Sequence, residues 1–141
     1  MNLSSAIQIT EHIATTATGT TSINGTALDM AGYEGVVFVI KYSSAAANNT
    51  LKAQQDTVVG MGGAADLAGS SVTVGASDEI VWLEIDRPLE RFVRAVALRG
   101  TTTVIEWCVA IQFGARLKPV SNALAGTIAG KLLASPVEGT A

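Results

Sequence analysis

Seven short stretches of β-branched and aromatic residues, each closed off by Gly, Asn, Asp, Ser or Pro, constrain this 141-residue chain to an all-β fold. They run over Ala6–Ile13, Val36–Tyr42, Thr50–Gln55, Val72–Val74, Glu79–Ile85, Phe92–Leu98 and Thr103–Phe113. None carries the three-and-four spacing of apolar residues that an amphipathic helix needs. Between them lie Thr15–Ala27, with the turn pair Asn24-Gly25, then Ala45–Asn49 and the glycine-rich Gly60–Gly69, which read as turns and long loops. That many strands in a chain of single-domain length predict a two-layer β-sandwich, with jelly-roll connectivity as one way of joining them. The sandwich is expected over residues 1–116, followed by an arm over 117–141.

Alternation within the strands assigns faces, because successive side chains point to opposite sides of a sheet. In Thr103–Phe113 the set Ile105, Trp107, Val109, Ile111 and Phe113 is wholly apolar and is expected to face the core. In Glu79–Ile85 the inner set is Val81, Leu83 and Ile85, which turns Ile80, Trp82 and Glu84 outward. Val36–Tyr42 is apolar on both faces, more than a sheet with one wet face requires. With only 15% of residues charged, the chain has little charge to spread over a monomer's surface. Either the domain's own loops cover the apolar outer face around Trp82 or copies of the chain pack there, and packing is the expectation.

From Leu117 the strand pattern gives way to small residues. Gly126-x-x-x-Gly130 matches a membrane-helix packing motif, but about a dozen apolar residues interrupted by Lys131 do not span a bilayer, so no membrane partner is expected. Leu124, Ile128, Leu132 and Leu133 need burial somewhere, on a neighbouring subunit or on the chain's own domain.

Signatures of chemistry are weak throughout. Gly60-x-Gly62-x-x-Ala65 formally fits a dinucleotide-binding fingerprint, but Gly69, Ser70 and Ser71 end the segment before a helix could follow. His12 is the one histidine, read as a surface or interface residue that cannot build a multi-histidine metal site. Cys108 is the one cysteine and reads as a small buried thiol. No Gly-x-Ser-x-Gly elbow is present, and the acids are most simply partners for arginines. No enzyme, cofactor or metal is expected. The net charge is -3 and the basic residues are scattered, which disfavours nucleic acid as a partner. The one dense charge cluster is Asp86-Arg87-Pro88-Leu89-Glu90-Arg91-Phe92-Val93-Arg94, a turn between two strands whose Arg87, Glu90, Arg91 and Arg94 are candidates for ion pairs within or across a subunit boundary. Arg94 and Arg99 fall on opposite faces. The N-terminus has no basic start and no long apolar run, so synthesis in a host cytoplasm without a secretory signal is expected.

Several stretches together resemble the capsid decoration, or cement, proteins of tailed phages. They are Met1-Asn2-Leu3-Ser4, Asn24-Gly25-Thr26 to Asp29-Met30-Ala31-Gly32, Tyr33-Glu34-Gly35-Val36-Val37-Phe38, Leu51-Lys52-Ala53-Gln54-Gln55, Arg87-Pro88-Leu89-Glu90-Arg91-Phe92-Val93-Arg94, Ala110-Ile111-Gln112-Phe113-Gly114-Ala115-Arg116 and Ser135-Pro136-Val137-Glu138-Gly139-Thr140-Ala141. The resemblance covers most of the chain and brings no active site with it. It implies a compact β domain, commonly trimeric, seated on the exterior of the shell built by the major capsid protein. A neck, tail or head-fibre component that binds host glycans is the alternative, although glycan sites favour exposed aromatics and Trp82 is the main outward candidate.

Overall fold

The computed structural model describes residues 2–122, 126–134 and 137–139. After a short 3-10 turn at Leu3–Ser5, ten strands follow: β1 (Gln8–Ile13), β2 (Ile23–Asn24), β3 (Leu28–Asp29), β4 (Gly35–Tyr42), β5 (Ala46–Asp56), β6 (Ala65–Asp66), β7 (Val72–Val74), β8 (Ile80–Asp86), β9 (Phe92–Arg99) and β10 (Ile105–Phe113). They form two antiparallel sheets, a four-stranded one in the order β1-β10-β4-β8 and a six-stranded one in the order β2-β9-β5-β6, with β3 also on β9 and β7 also on β5. Taking β2 with β3 and β6 with β7 as one position each, the sheets read 1-8-3-6 and 2-7-4-5. This is the double-sheet jelly roll, in which successive long strands cross from one sheet to the other. The short strands β2, β3 and β6 lie in or next to segments that read as loops, and β5 starts earlier than expected, taking in Ala46–Asn49.

The core lies between the sheets. Val36, Phe38, Ile40 and Tyr42 of β4 face Leu51 and Ala53 of β5 and Val93, Ala95 and Ala97 of β9, all fully buried. Each large apolar side chain so buried stabilises the fold by roughly 1.5 to 3 kcal/mol. The Tyr42 hydroxyl donates to the Thr50 carbonyl (2.9 Å), so its one polar atom is satisfied at the core edge. Cys108 is buried as expected, and loss of solvent pushes its thiol up to about 12.

One expectation is overturned in β10. Its register with β4 slips between Ile105 and Trp107, a β-bulge that inserts one extra residue. Ile105 faces the core, but beyond the bulge the buried set is Cys108, Ala110 and Gln112, while Trp107, Val109, Ile111 and Phe113 turn to the outer face and are only half-buried. A single inserted residue inverts every side chain after it.

His12 is a second correction: it is buried, not a surface residue. A bulge between Glu11 and Ile13 turns both His12 and Ile13 inward. His12 Nε2 accepts the Ala95 N–H (2.9 Å) in the gap between β2 and β3 along β9, while Gly25 N–H donates to the Ala95 carbonyl (2.9 Å). A Cβ on Gly25 would come within 1.9 Å of that nitrogen, so only glycine leaves room for the imidazole. As acceptor at Nε2 the ring is neutral, and burial lowers its pKa from 6.5 to about 4 against a smaller opposing effect of the Ala95 hydrogen bond. His12 thus ties β1 of one sheet to β9 of the other.

Candidate functional site

The outer face of the four-stranded sheet is built by the alternation of its four strands in register. Ile9, Ile111, Val37 and Glu84 form one row across it, and Glu11, Val109, Val39 and Trp82 the next. Trp107, Lys41 and Ile80 lie beyond, and at the other end the Phe113 ring covers Gly35, where a Cβ would meet its Cζ at 2.4 Å. Trp82 is 64% exposed and Ile80 58%, so the apolar face is most open toward β8. Lys41 is the cation of the face, held by Glu106 (2.9 Å) and Asp78 (3.4 Å), and the Glu106 hydrogen bond, ahead of the weaker contribution of Asp78, raises its pKa. Trp82 therefore lies where the regular strand Glu79–Ile85 predicts it, and the bulge in β10 adds Trp107, Val109, Ile111 and Phe113 to the same surface.

The outer face of the six-stranded sheet is chemically different. Arg94 donates twice to Gln54 Oε1 (3.0 and 2.7 Å), Gln54 donates to Asp66 (2.7 Å), and Lys52 pairs with Asp66 (2.6 Å). The Lys52 and then the Gln54 hydrogen bonds hold the Asp66 carboxyl below the usual range. Val96 is buried on this face, opposite Asn24 and Lys52.

The charge cluster around Pro88 does not come together as one site. Arg91 forms a two-toothed pair with Asp29 (3.0 and 2.7 Å), lies over Phe92 at 5.2 Å, and its side-chain hydrogen bond holds the Asp29 carboxyl low. Arg94 belongs to the Gln54 network, Arg87 is exposed in the left-handed region (φ 49°) with Asp86 at 3.8 Å, and Glu90 is half-buried in the turn. Arg99, on the face opposite Arg94, is buried and donates to the carbonyls of Thr21 (2.6 Å), Ala17 (2.7 Å) and Thr103 (3.3 Å), which pins the long Thr15–Ala27 segment. No pattern in the sequence singled out that role.

The start of the arm lies against the chain's own first strand. Val120 N–H donates to the Ser5 carbonyl (2.9 Å), and the Asn122 side chain accepts from Ile9 N–H (2.7 Å) while donating to the carbonyls of Ile7 (2.8 Å) and Ser4 (3.0 Å). One amide side chain thereby pairs with the free edge of β1 as a neighbouring strand would. Further on, Ile128 is half-buried and Leu132 and Leu133 are 58% and 55% exposed, beside a groove that Ile9 and Val120 also line. Leu124 lies outside the described residues.

The loop after β5 is closed by Asp56, whose carboxylate accepts the N–H groups of Val58 (3.1 Å) and Gly63 (2.9 Å). It leads into β6, so the Gly60–Ala65 segment takes the form of a strand connection. Among the described residues no group of three or more His, Cys, Asp or Glu could hold a metal, and no helix is long and apolar enough to cross a membrane.

No protein-family model and no curated protein matches the sequence. Among solved structures the chain is similar to the crystal structure of the PBSX exported protein XepA, with a TM-score of 0.59 and 17% identity over 96% of this chain and 46% of that one. The chain spans less than half of XepA, and the likeness is one of fold.

Proposed function

We propose that this chain is a non-enzymatic structural protein of a tailed-phage virion, which assembles as a homotrimer and decorates the capsid exterior by binding the major capsid protein. The observation that carries the reading is the outer face of the four-stranded sheet, where Trp82, Ile80, Val37, Val39, Val109 and Ile111 present an apolar surface beside two half-exposed leucines of the arm. Contiguous apolar surface of this kind on a small domain marks a protein interaction site. The sequence resemblance to decoration proteins supplies the partner, and the jelly roll supports a rigid adaptor. XepA, which shares the fold over 46% of its length, is named as an exported protein, and a virion protein likewise ends outside the cell that makes it.

The test is electron microscopy of virions produced with and without the chain. Density on the shell exterior that disappears with the chain is the expected result. Density confined to the neck, tail or fibres would replace the decoration reading with one of those parts.

A further inference from the structure

Resting on the self-assembly part of that reading, we propose that the β8 edge of one subunit accepts the segment 130–134 of a second copy as an added antiparallel strand. The two edges of the four-stranded sheet differ. The β1 edge is closed by Asn122 and flanked by the arm, whereas among the described residues β8 is paired on one side only, to β4. A seven-residue edge strand carrying Ile80 and Trp82, with no lysine or proline along it and its charges confined to Glu84 and Asp86 at one end, is only partly protected against edge pairing. Beside it lies a groove of about 490 Å³ lined by Val72, Thr73, Ile80, Trp82 and Glu84.

The donor is argued from pattern, charge and position. Residues 130–134 are exposed and form neither helix nor strand within their own chain. In an antiparallel pairing that sets Leu132 opposite Leu83, Leu132 covers the half-buried inner side of β8. Lys131 then stands opposite Glu84 and Leu133 opposite Trp82, both on the outer face. A cation of the arm thus meets an exposed carboxylate, and a leucine meets the exposed indole. Within one chain the arm lies at the β1 edge, and three strand spacings, about 14 Å, separate that edge from β8. The contact is therefore head to tail: the β1 edge and arm of one subunit against the β8 edge of the next. Repeated about a three-fold axis, such a contact closes into a ring.

The test is disulfide trapping between differently tagged chains that are refolded together, one carrying Glu84→Cys and the other Lys131→Cys. Cys108 is fully buried and leaves the engineered thiols as the reactive ones. Under mild oxidation the expected product is a mixed disulfide between the two tagged chains, with Lys131→Cys against Ile80→Cys giving little, since Ile80 is four residues off register. A dominant Glu84→Cys self-disulfide would show that β8 edges pair with each other and overturn the proposal. Sedimentation of the same samples separates the two levels. A trimer without the mixed disulfide overturns the strand placement and leaves the assembly reading standing, whereas a monomer overturns both.

Discussion

The two outer faces of this sandwich are made from the same kind of strand and differ in what their outward residues do. On the six-stranded sheet, Arg94, Gln54, Asp66 and Lys52 satisfy one another in a cross-strand network, so the surface is complete when the chain is alone. Across the four-stranded sheet the equivalent positions hold Val37, Val39, Val109, Ile111 and Trp82, which have no such partners to find in water. Polar cross-strand pairs finish a solvated sheet, while an apolar face left open leaves transfer free energy of roughly 25 cal/mol per Å2 to be gained on contact. The asymmetry is what makes the four-stranded side the one proposed for assembly.

The largest effect that can break this comparison is at Trp82. Because its side chain is mostly exposed, Trp82→Asp is expected to leave the monomer folded, yet weaken the proposed oligomer by on the order of 4 kcal/mol, as for an aromatic hot spot. Arg94→Ala, on the polar face, should leave the sedimentation coefficient unchanged. Equal dissociation by the two variants would remove the distinction between the faces.

Next in size is a pH effect on the tie between the sheets. His12 is neutral in the fold with its pKa lowered to about 4, against 6.5 when unfolded. A depressed folded value means the stabilisation is fully present above pH 6.5, is lost progressively as pH falls, and is gone once pH passes about 4. The shift corresponds to roughly 3 kcal/mol. Urea midpoints between pH 7 and 4 should fall accordingly in the wild-type chain and much less in His12→Gln, whose amide oxygen can still accept the Ala95 N–H. A parallel fall in both would assign the acid sensitivity to carboxylates instead.

How much of this was legible in the sequence depends on whether a strand is regular. β8 keeps strict alternation, so the outward position of Trp82 follows from spacing alone. β10 does not, because its bulge after Ile105 is specified by its pairing with β4, and nothing in the order Val104-Ile105-Glu106-Trp107 marks it. Both faces of β10 carry apolar residues, which hides the slip from a pattern of hydrophobicity. His12 departs from its expected surface position for a related reason: the cavity that holds it is made by Gly25, thirteen positions away in the sequence and recognisable only once β1 and β9 are stacked. The long strands and the two-layer architecture follow from local pattern, whereas the two-residue strands β2, β3 and β6 do not. The arginine partners Asp29 and Gln54 are long-range ones, which the local density of charge around Pro88 could not name.

A smaller effect is expected at the closed edge of the apolar sheet. Asn122→Ala removes hydrogen bonds to Ile9, Ile7 and Ser4 in a half-buried setting, and should lower stability by about 1 to 2 kcal/mol. Hydrogen exchange at the Ile9 amide should quicken by more than at core amides of β4. Uniform quickening would show that the arm supports the whole domain and not that edge alone.

The smallest effect is the one expected from Arg91, and it sharpens the comparison from the polar side. Its partner Asp29 lies on β3, at the edge of the six-stranded sheet, and both side chains are about half exposed, 59% and 46%. Solvent and salt screen a pair in that position, so its two-toothed geometry secures the β3 edge locally more than it adds to stability. Arg91→Ala should therefore lower the urea midpoint slightly at low salt, with the difference vanishing at high salt, and the shift should not depend on protein concentration. A subunit boundary at this pair predicts the opposite pattern. Removing Arg91 would leave Asp29 unpaired in the interface, and the loss would grow as the protein is diluted and persist in salt. Measuring the midpoint at two protein concentrations and two salt concentrations decides between them. A concentration-dependent loss would place an interface on the six-stranded side as well, so the polar face would no longer count as the finished one.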